Sequence, residues 1–414
     1  MNIRPIGTVL AAALLLPAPA QTQLAPAPAA TAAAPAPQQD LELLATACNR
    51  FAADLYAELR KHGDPTCSPG SIALALHMLL TGAAGDTADQ LAAALRLPED
   101  LRGERLLKAL DALITVSGKR VTDGPEMRIV NDLWVQDGYR LLPTFTQALA
   151  DHLHSPAKPI DFVGDPAAAR EHINRYIAEA TNRRISDLLP SDAIDPLTRV
   201  VLTNALWFKG AWATPFEARA TAPAPFHLTA DETVDVDTMH VAGSFHYADD
   251  ERWQCVVLPF ANSTMQMEIL VPVGAATLAA AEATLLAGEH LAALQHQQVR
   301  VALPRFAAAG KHELAGALQA LGVKDAFGAS ADFSPINGEH DLFVSKAVHR
   351  TWVQVDEAGA EAAAATAIVM KLRGMPHGEQ VEFRADRPFA FVMRDRKSGL
   401  CWFAGRVEDP RSKP

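Results

Sequence analysis

The segment DEAGAEAAAATAIVMKLRGMP, Asp356 to Pro376, constrains the fold more than any other part of the chain. It follows a strand pattern, since Thr351, Val353 and Val355 alternate with Trp352 and Gln354 at the two-residue period of a sheet. Alanine is the best helix former, so local propensity favours a helix over Ala360–Leu372, yet a run of alanines offers no apolar stripe by which a core could hold it. An unsupported helix of that length is marginal in water. A strand therefore leads straight into small, uncharged residues that commit to no structure, and Lys371 and Arg373 stand at their end.

The rest of the chain alternates between helix and strand signals. Asp40–Lys61 carries the helical stripe Leu44, Cys48, Phe51, Leu55, Leu59, and Gly85–Gln90 opens a second helix, with Thr87 and Gln90 spaced as a capping box. Val256–Phe260, a turn at Ala261–Thr264, and Met265, Met267, Ile269 alternating with Gln266 and Glu268 describe a hairpin. Phe389–Val392 and Leu400–Ala404 add two more strands. No repeat and no Pro/Gly-rich linker divides the body after residue 40, so one α+β domain over residues 40–414 is expected.

With 414 residues, 49% of them hydrophobic, the chain is long enough for a large core, and its net charge of -11 argues against general nucleic-acid or anionic-membrane binding. Arg4, the apolar run Val9–Leu16 and Ala18-Pro19-Ala20 have the layout of a signal peptide over residues 1–20, with export to the periplasm or the exterior as the consequence. The apolar run is too short for a membrane span, which needs about 20 residues. Residues 21–39 are Ala/Pro-rich and read as a disordered spacer. The four cysteines have no CxxC or metal-ligand spacing, so buried free thiols are expected, with one disulfide as the alternative.

Signatures of catalysis are missing. There is no GxSxG elbow, HExxH, P-loop or GxGxxG, and the single HE pair, His312-Glu313, has no second histidine one turn on. No metal site and no cofactor are expected, and an exported hydrolase with a triad drawn from distant residues is the least favoured reading.

Four blocks in order resemble the serpin family of serine-protease inhibitors. Ser68–Ile72 with Leu79–Thr87 is similar to the family's first strand-to-helix block, and Asn204–Trp212 with Phe216 to a central-sheet strand. Lys346–His349 leads to Glu357, Gly359, Ala360, Glu361, Ala362, Ala363, Ala364, Ala365 and Thr366, which resemble the hinge of the reactive-centre loop. Arg387–Phe389 through Gly405–Val407 resembles the C-terminal strands. The resemblance implies three β-sheets with about eight or nine helices, and a loop over about residues 357–382 standing off one pole. It also implies a monomer that is no enzyme: a protease cuts the loop, forms an acyl-enzyme, and is carried along as the freed segment becomes a new strand of the central sheet.

That chemistry explains the small residues. If Ala360 enters facing the core, Ala362, Ala364, Thr366, Ile368 and Met370 follow at period two, none of them charged, and Glu361 falls on the outer face. An unpaired charge in the inward set would cost several kcal/mol to bury. Family spacing from Gly359 puts the cut between Arg373 and Gly374, suited to a trypsin-like serine protease held covalently, with Lys371-Leu372 as the alternative bond. By resemblance Ser68, Ser71, Asn204 and His349 form a cluster controlling sheet opening, and Trp212 marks where insertion begins. The mixed charges of Leu101–Lys119 offer no polyanion site. A binding or carrier protein that keeps the fold without inhibiting is the alternative, and the uncharged inward set counts against it.

Overall fold

A computed structural model of the chain describes residues 38–118, 124–360 and 380–412. The expected signal peptide, nearly all of the spacer, Glu361–Thr366 and the two candidate bonds at Lys371–Gly374 lie outside the described residues. Among those described, nine α-helices and fourteen strands form. The first helix, Gln38–Arg60, begins two residues inside the stretch expected as spacer, where Gln38 reaches Glu42 one turn on at 3.2 Å. Its stripe from Leu44 to Leu59 is buried as the periodicity requires.

A six-stranded sheet runs in the order Lys158–Ile160, Glu126–Gln136, Val200–Ala211, Gly359–Ala360, Lys346–Val355, Phe306–Glu313. The Val200 and Lys346 strands pair directly and in parallel from Val201↔Lys346 to Trp207↔Trp352. Beyond that point they fork, and Gly359–Ala360 fills the gap antiparallel to both. The expected second and third sheets share one strand, Thr233–Asp249, whose 17 residues pair first with Ala222–His227 and then with Gln295–Pro304 and Trp253–Pro259. Hydrogen bonding is therefore continuous through an eight-stranded array. The main core lies between the two sheets and the helices Gln38–Arg60 and Pro69–Thr81, while a smaller cluster covers the outer face of the six-stranded sheet beneath helix Pro166–Ala180.

Two local expectations are revised. Thr87 and Gln90 do not form a capping box: Ala84 occupies the cap, Thr87 Oγ1 accepts from the Asp332 N–H at 2.9 Å, and Gln90 bonds Lys324 and Asp325. The same side chains that could close a helix end are used instead to tie that helix to the 324–332 loop. In strand Met265–Pro272, Gln266 and Glu268 alternate with Met267 and Ile269 but do not reach water. The strand is interior to its sheet, and Glu268 is buried against Arg394 (3.0 Å) and His290 (3.0 Å), so its charge is paired where it cannot be solvated. All four cysteines are buried and free.

Candidate functional site: the forked sheet

Glu357 to Ala360 were expected to begin an exposed loop, and the structure docks them. The chain leaves the Lys346 strand at Val355 and turns sharply through Asp356–Gly359. Asp356 Oδ1 accepts the N–H groups of Ala358 (2.9 Å) and Gly359 (3.2 Å), a local side-chain turn that aspartate favours. The chain returns with Ala360 opposite Val355 on one side and Gly210 on the other, and Ala360 is fully buried in the main core. Gly359 has φ +154°, and a Cβ there would come within 1.9 Å of the Gly210 carbonyl oxygen, so only glycine fits so close to the neighbouring strand.

The turn is held from three sides. Trp212 donates its indole N–H to Asp356 O (2.9 Å) and its backbone N–H to Ala358 O (3.0 Å), and its ring stacks on Phe260 at 4.7 Å. Phe216 N–H donates to Glu357 O (3.0 Å). The Glu357 carboxylate receives Arg305 at 2.6 and 2.9 Å, and the Thr221 hydroxyl. Burial pushes the Glu357 carboxyl up, but the Arg305 and Thr221 hydrogen bonds outweigh it and leave it below the usual carboxylate range. Arg305 also lies 3.4 Å from Asp237. Sequence reasoning found Trp212 but missed Arg305 and Thr221, which are remote in the chain and carry no motif.

Below the fork, the sheet is buttoned by a buried polar cluster. Ser68 N–H donates to His349 Nε2 (3.0 Å), which therefore carries the lone pair, and the proton on Nδ1 is donated to Asn204 Oδ1. Asn204 Nδ2 donates to Ser71 Oγ (2.6 Å) and to Asn131 Oδ1, and Ser71 Oγ donates to Asn131 Oδ1 at 3.1 Å. Ser68 Oγ donates to the Trp402 carbonyl at 2.6 Å. Ser68, Ser71, Asn204 and His349 are thus brought together as the sequence resemblance implied. Asn131 was overlooked, though its place opposite Asn204 in the sheet makes it the link to the next strand. His349 and Asn204 face each other across the two strands that would have to part. Thr351 Oγ1 adds a second cross-strand bond to Leu206 O at 3.3 Å.

The family model described as Serpin (serine protease inhibitor) matches residues 46–410. The chain belongs to the serpin family. It is 36% identical to leukocyte elastase inhibitor of Bos taurus, over 89% of this chain and 100% of that protein. It is likewise 36% identical to an uncharacterized serpin-like protein of Thermococcus kodakarensis, over 89% and 86% of the two chains. The solved structure of uncleaved ovalbumin superposes with a TM-score of 0.77 at 29% identity, covering 89% of this chain and all of that one. Serine-protease inhibition is the activity for which the family is named. In this serpin no grouping of three or more His, Cys, Asp or Glu side chains suited to a metal ion occurs among the described residues, and no helix among them is long and apolar enough to cross a membrane.

Two consequences follow for the serpin's closed sheet. Burial, with the neighbouring His312 adding to it, holds the His349 imidazole well below its usual pKa. A depressed folded-state pKa stabilises the fold fully above the unfolded value of about 6.5 and loses that contribution as pH falls below it. Protonation would also set a donor on Nε2 against the Ser68 N–H. Hydrogen exchange of the Val201–Trp207 and Lys346–Trp352 pairing is expected to accelerate about tenfold between pH 7.5 and 5.5, after correction for intrinsic exchange. A flat corrected profile would remove His349 from control of the sheet.

Glu357→Lys turns the attraction to Arg305 into repulsion and strips the turn of its clamp. The Arg305 side chain is 44% exposed, so solvent screening reduces the loss to about 1–2 kcal/mol instead of the 3–5 kcal/mol of a fully buried pair. The expected result is a melting temperature lower by about 1–3 °C, together with a change in Trp212 fluorescence. Unchanged emission would show that the clamp does not hold the turn.

Proposed function

We propose that this serpin is a suicide-substrate inhibitor of trypsin-like serine proteases, cut between Arg373 and Gly374. The observation that carries the reading is the register at the fork. Above it, Val355 and Gly210 both face Ala360; below it, Lys346 faces Val201. The two strands hold one relative register throughout. Opening the sheet requires lateral separation with no slip along the strands, and an incoming strand can extend from Ala360 without a bulge.

Carried downward in that register, Glu361 falls between Lys209 and Gln354, Thr366 between Asn204 and His349, and Met370 between Val200 and Ser345, where both neighbours end. Ala360 is buried in the core, so the inward set is Ala362, Ala364, Thr366, Ile368 and Met370, free of charge. The Thr366 hydroxyl would arrive where the His349–Asn204 bond must break and can serve both partners. Arg373 would pass just beyond the sheet, roughly 46 Å from Gly359 at about 3.3 Å per residue. A protease acylated on the Arg373 carbonyl through its serine is then drawn to the far end of the sheet. Tension on the ester pulls the carbonyl from the oxyanion hole, where loss of one donor slows the reaction by about 10² to 10³, and hydrolysis stalls.

The Arg373 guanidinium suits a specificity pocket with a carboxylate at its base. Incubation with trypsin is expected to yield a covalent complex that survives denaturant, from which the peptide Gly374–Pro414 separates only once the fold is denatured. Release of Leu372–Pro414 would reassign the bond to Lys371. Arg373→Ala should slow complex formation with trypsin by on the order of 10³-fold. Clean cleavage with trypsin left fully active would instead identify a carrier or binding protein on the same fold. Export through the segment at residues 1–20 belongs to the same reading, and a mature chain beginning at Gln21 would bear it out.

A further inference from the structure

We infer that His246 and His296 form a two-histidine surface site for a late first-row divalent cation such as Cu²⁺, Ni²⁺ or Zn²⁺. His246, on strand Thr233–Asp249, and His296, on strand Gln295–Pro304, are directly opposite in the antiparallel register. Directly opposed residues are the nearest side-chain neighbours across a sheet. The two rings lie 5.1 Å apart between centroids at 76°, and both residues are exposed. A metal bound at about 2.0–2.1 Å to one nitrogen of each ring needs those nitrogens only about 3 Å apart, which small side-chain rotations supply.

A neighbouring hydroxyl orients one of the two imidazoles. Ser244 Oγ lies 2.9 Å from His296 Nδ1. With the Nδ1 proton donated to that hydroxyl, the Nε2 lone pair is left free, the arrangement by which outer partners orient metal-bound histidine. The nitrogens of His246 have no hydrogen-bond partner among the described residues. Imidazole pairs select the later metals of the first row over Mg²⁺ or Ca²⁺, and two protein ligands leave the remaining positions to water. Because the ligands lie on separate strands, a bound cation cross-links them and stabilises the folded chain by mass action. Ser244 acts as a positioning residue.

The test uses the untagged, metal-stripped full chain titrated with CuCl₂ at pH 7.5. The first equivalent should give an electron paramagnetic resonance spectrum with two imidazole nitrogens. His246→Gln and His296→Gln should each reduce this to one nitrogen and weaken binding at least tenfold, while Ser244→Ala weakens it a few-fold and keeps both nitrogens. All three positions are exposed, so unchanged melting temperatures without metal serve as the control for folding. A first equivalent that binds the two glutamine variants as tightly as the parent, with an unaltered spectrum, overturns the assignment.

Discussion

Cleaved at Arg373–Gly374, the serpin is expected to melt about 10 °C or more above the intact chain. Among the described residues, the strand between Val200–Ala211 and Lys346–Val355 is Gly359–Ala360, and below the fork the two neighbours pair with each other from Trp207↔Trp352 to Val201↔Lys346. Insertion replaces one ladder by two and moves Ala362, Ala364, Thr366, Ile368 and Met370 into the core. Complete burial of Ile368 and Met370 contributes about 1.5–3 kcal/mol each and each alanine methyl about 0.8 kcal/mol, upper values that conformational entropy reduces. On the proposed mechanism the Thr351–Leu206 and His349–Asn204 bonds must break before the segment can enter past residue 363, which would make the stability of the intact form kinetic. Calorimetry of the purified cleaved and intact forms measures the difference. Coincident transitions would leave no driving force for capturing a protease.

Thr366→Arg is expected to convert the inhibitor into a substrate. In the register continued from Ala360, residue 366 enters between Asn204 and His349, both fully engaged in a buried cluster with no carboxylate among its members. A guanidinium arriving there is a buried, unpaired charge beside a neutral imidazole, at a cost of several kcal/mol. If about 4 kcal/mol of this appears in the insertion barrier, insertion slows by about 10³, and hydrolysis of the acyl-enzyme wins. Denaturing gels should then show cleaved serpin and almost no complex, with trypsin activity restored. Thr366→Val, which keeps volume without charge, should retain complex formation within a few-fold. The intact Thr366→Arg chain should melt within about 2 °C of the parent, which separates failed insertion from failed folding. Undiminished complex yield would show that the inward face does not carry residue 366.

The two predictions rest on different parts of the molecule. The first depends on the depth of the gap that the loop fills, and the second on what lines it. Arg305 and Glu357 belong to neither, because they act on the turn above the fork and determine where the strand starts. Losing that clamp should change how readily the hinge enters without changing what the inserted form is worth.

Periodicity and composition along the chain were sufficient for a good deal. They announce the amphipathic first helix, the hairpin of Val256–Phe260 and Met265–Ile269, the strand ending at Val355, and a following segment whose alternate residues are all uncharged. Each of these is legible because a two-residue or 3.6-residue period is a local property, readable without knowing what lies opposite. The resemblance added Ser68, Ser71, Asn204, Trp212 and His349, but not what joins them. Only tertiary structure could show that Asn131 completes the cluster, that Arg305 grips Glu357, that Thr87 and Gln90 face a distant loop instead of their own helix end, and that Glu268 is paired inside the core. These are contacts between residues tens to hundreds of positions apart, decided by which faces the sheets bring together, and side-chain chemistry in sequence order holds no record of that. The unslipped register on either side of the fork is likewise a relation between three strands, and it exists only once they are hydrogen-bonded.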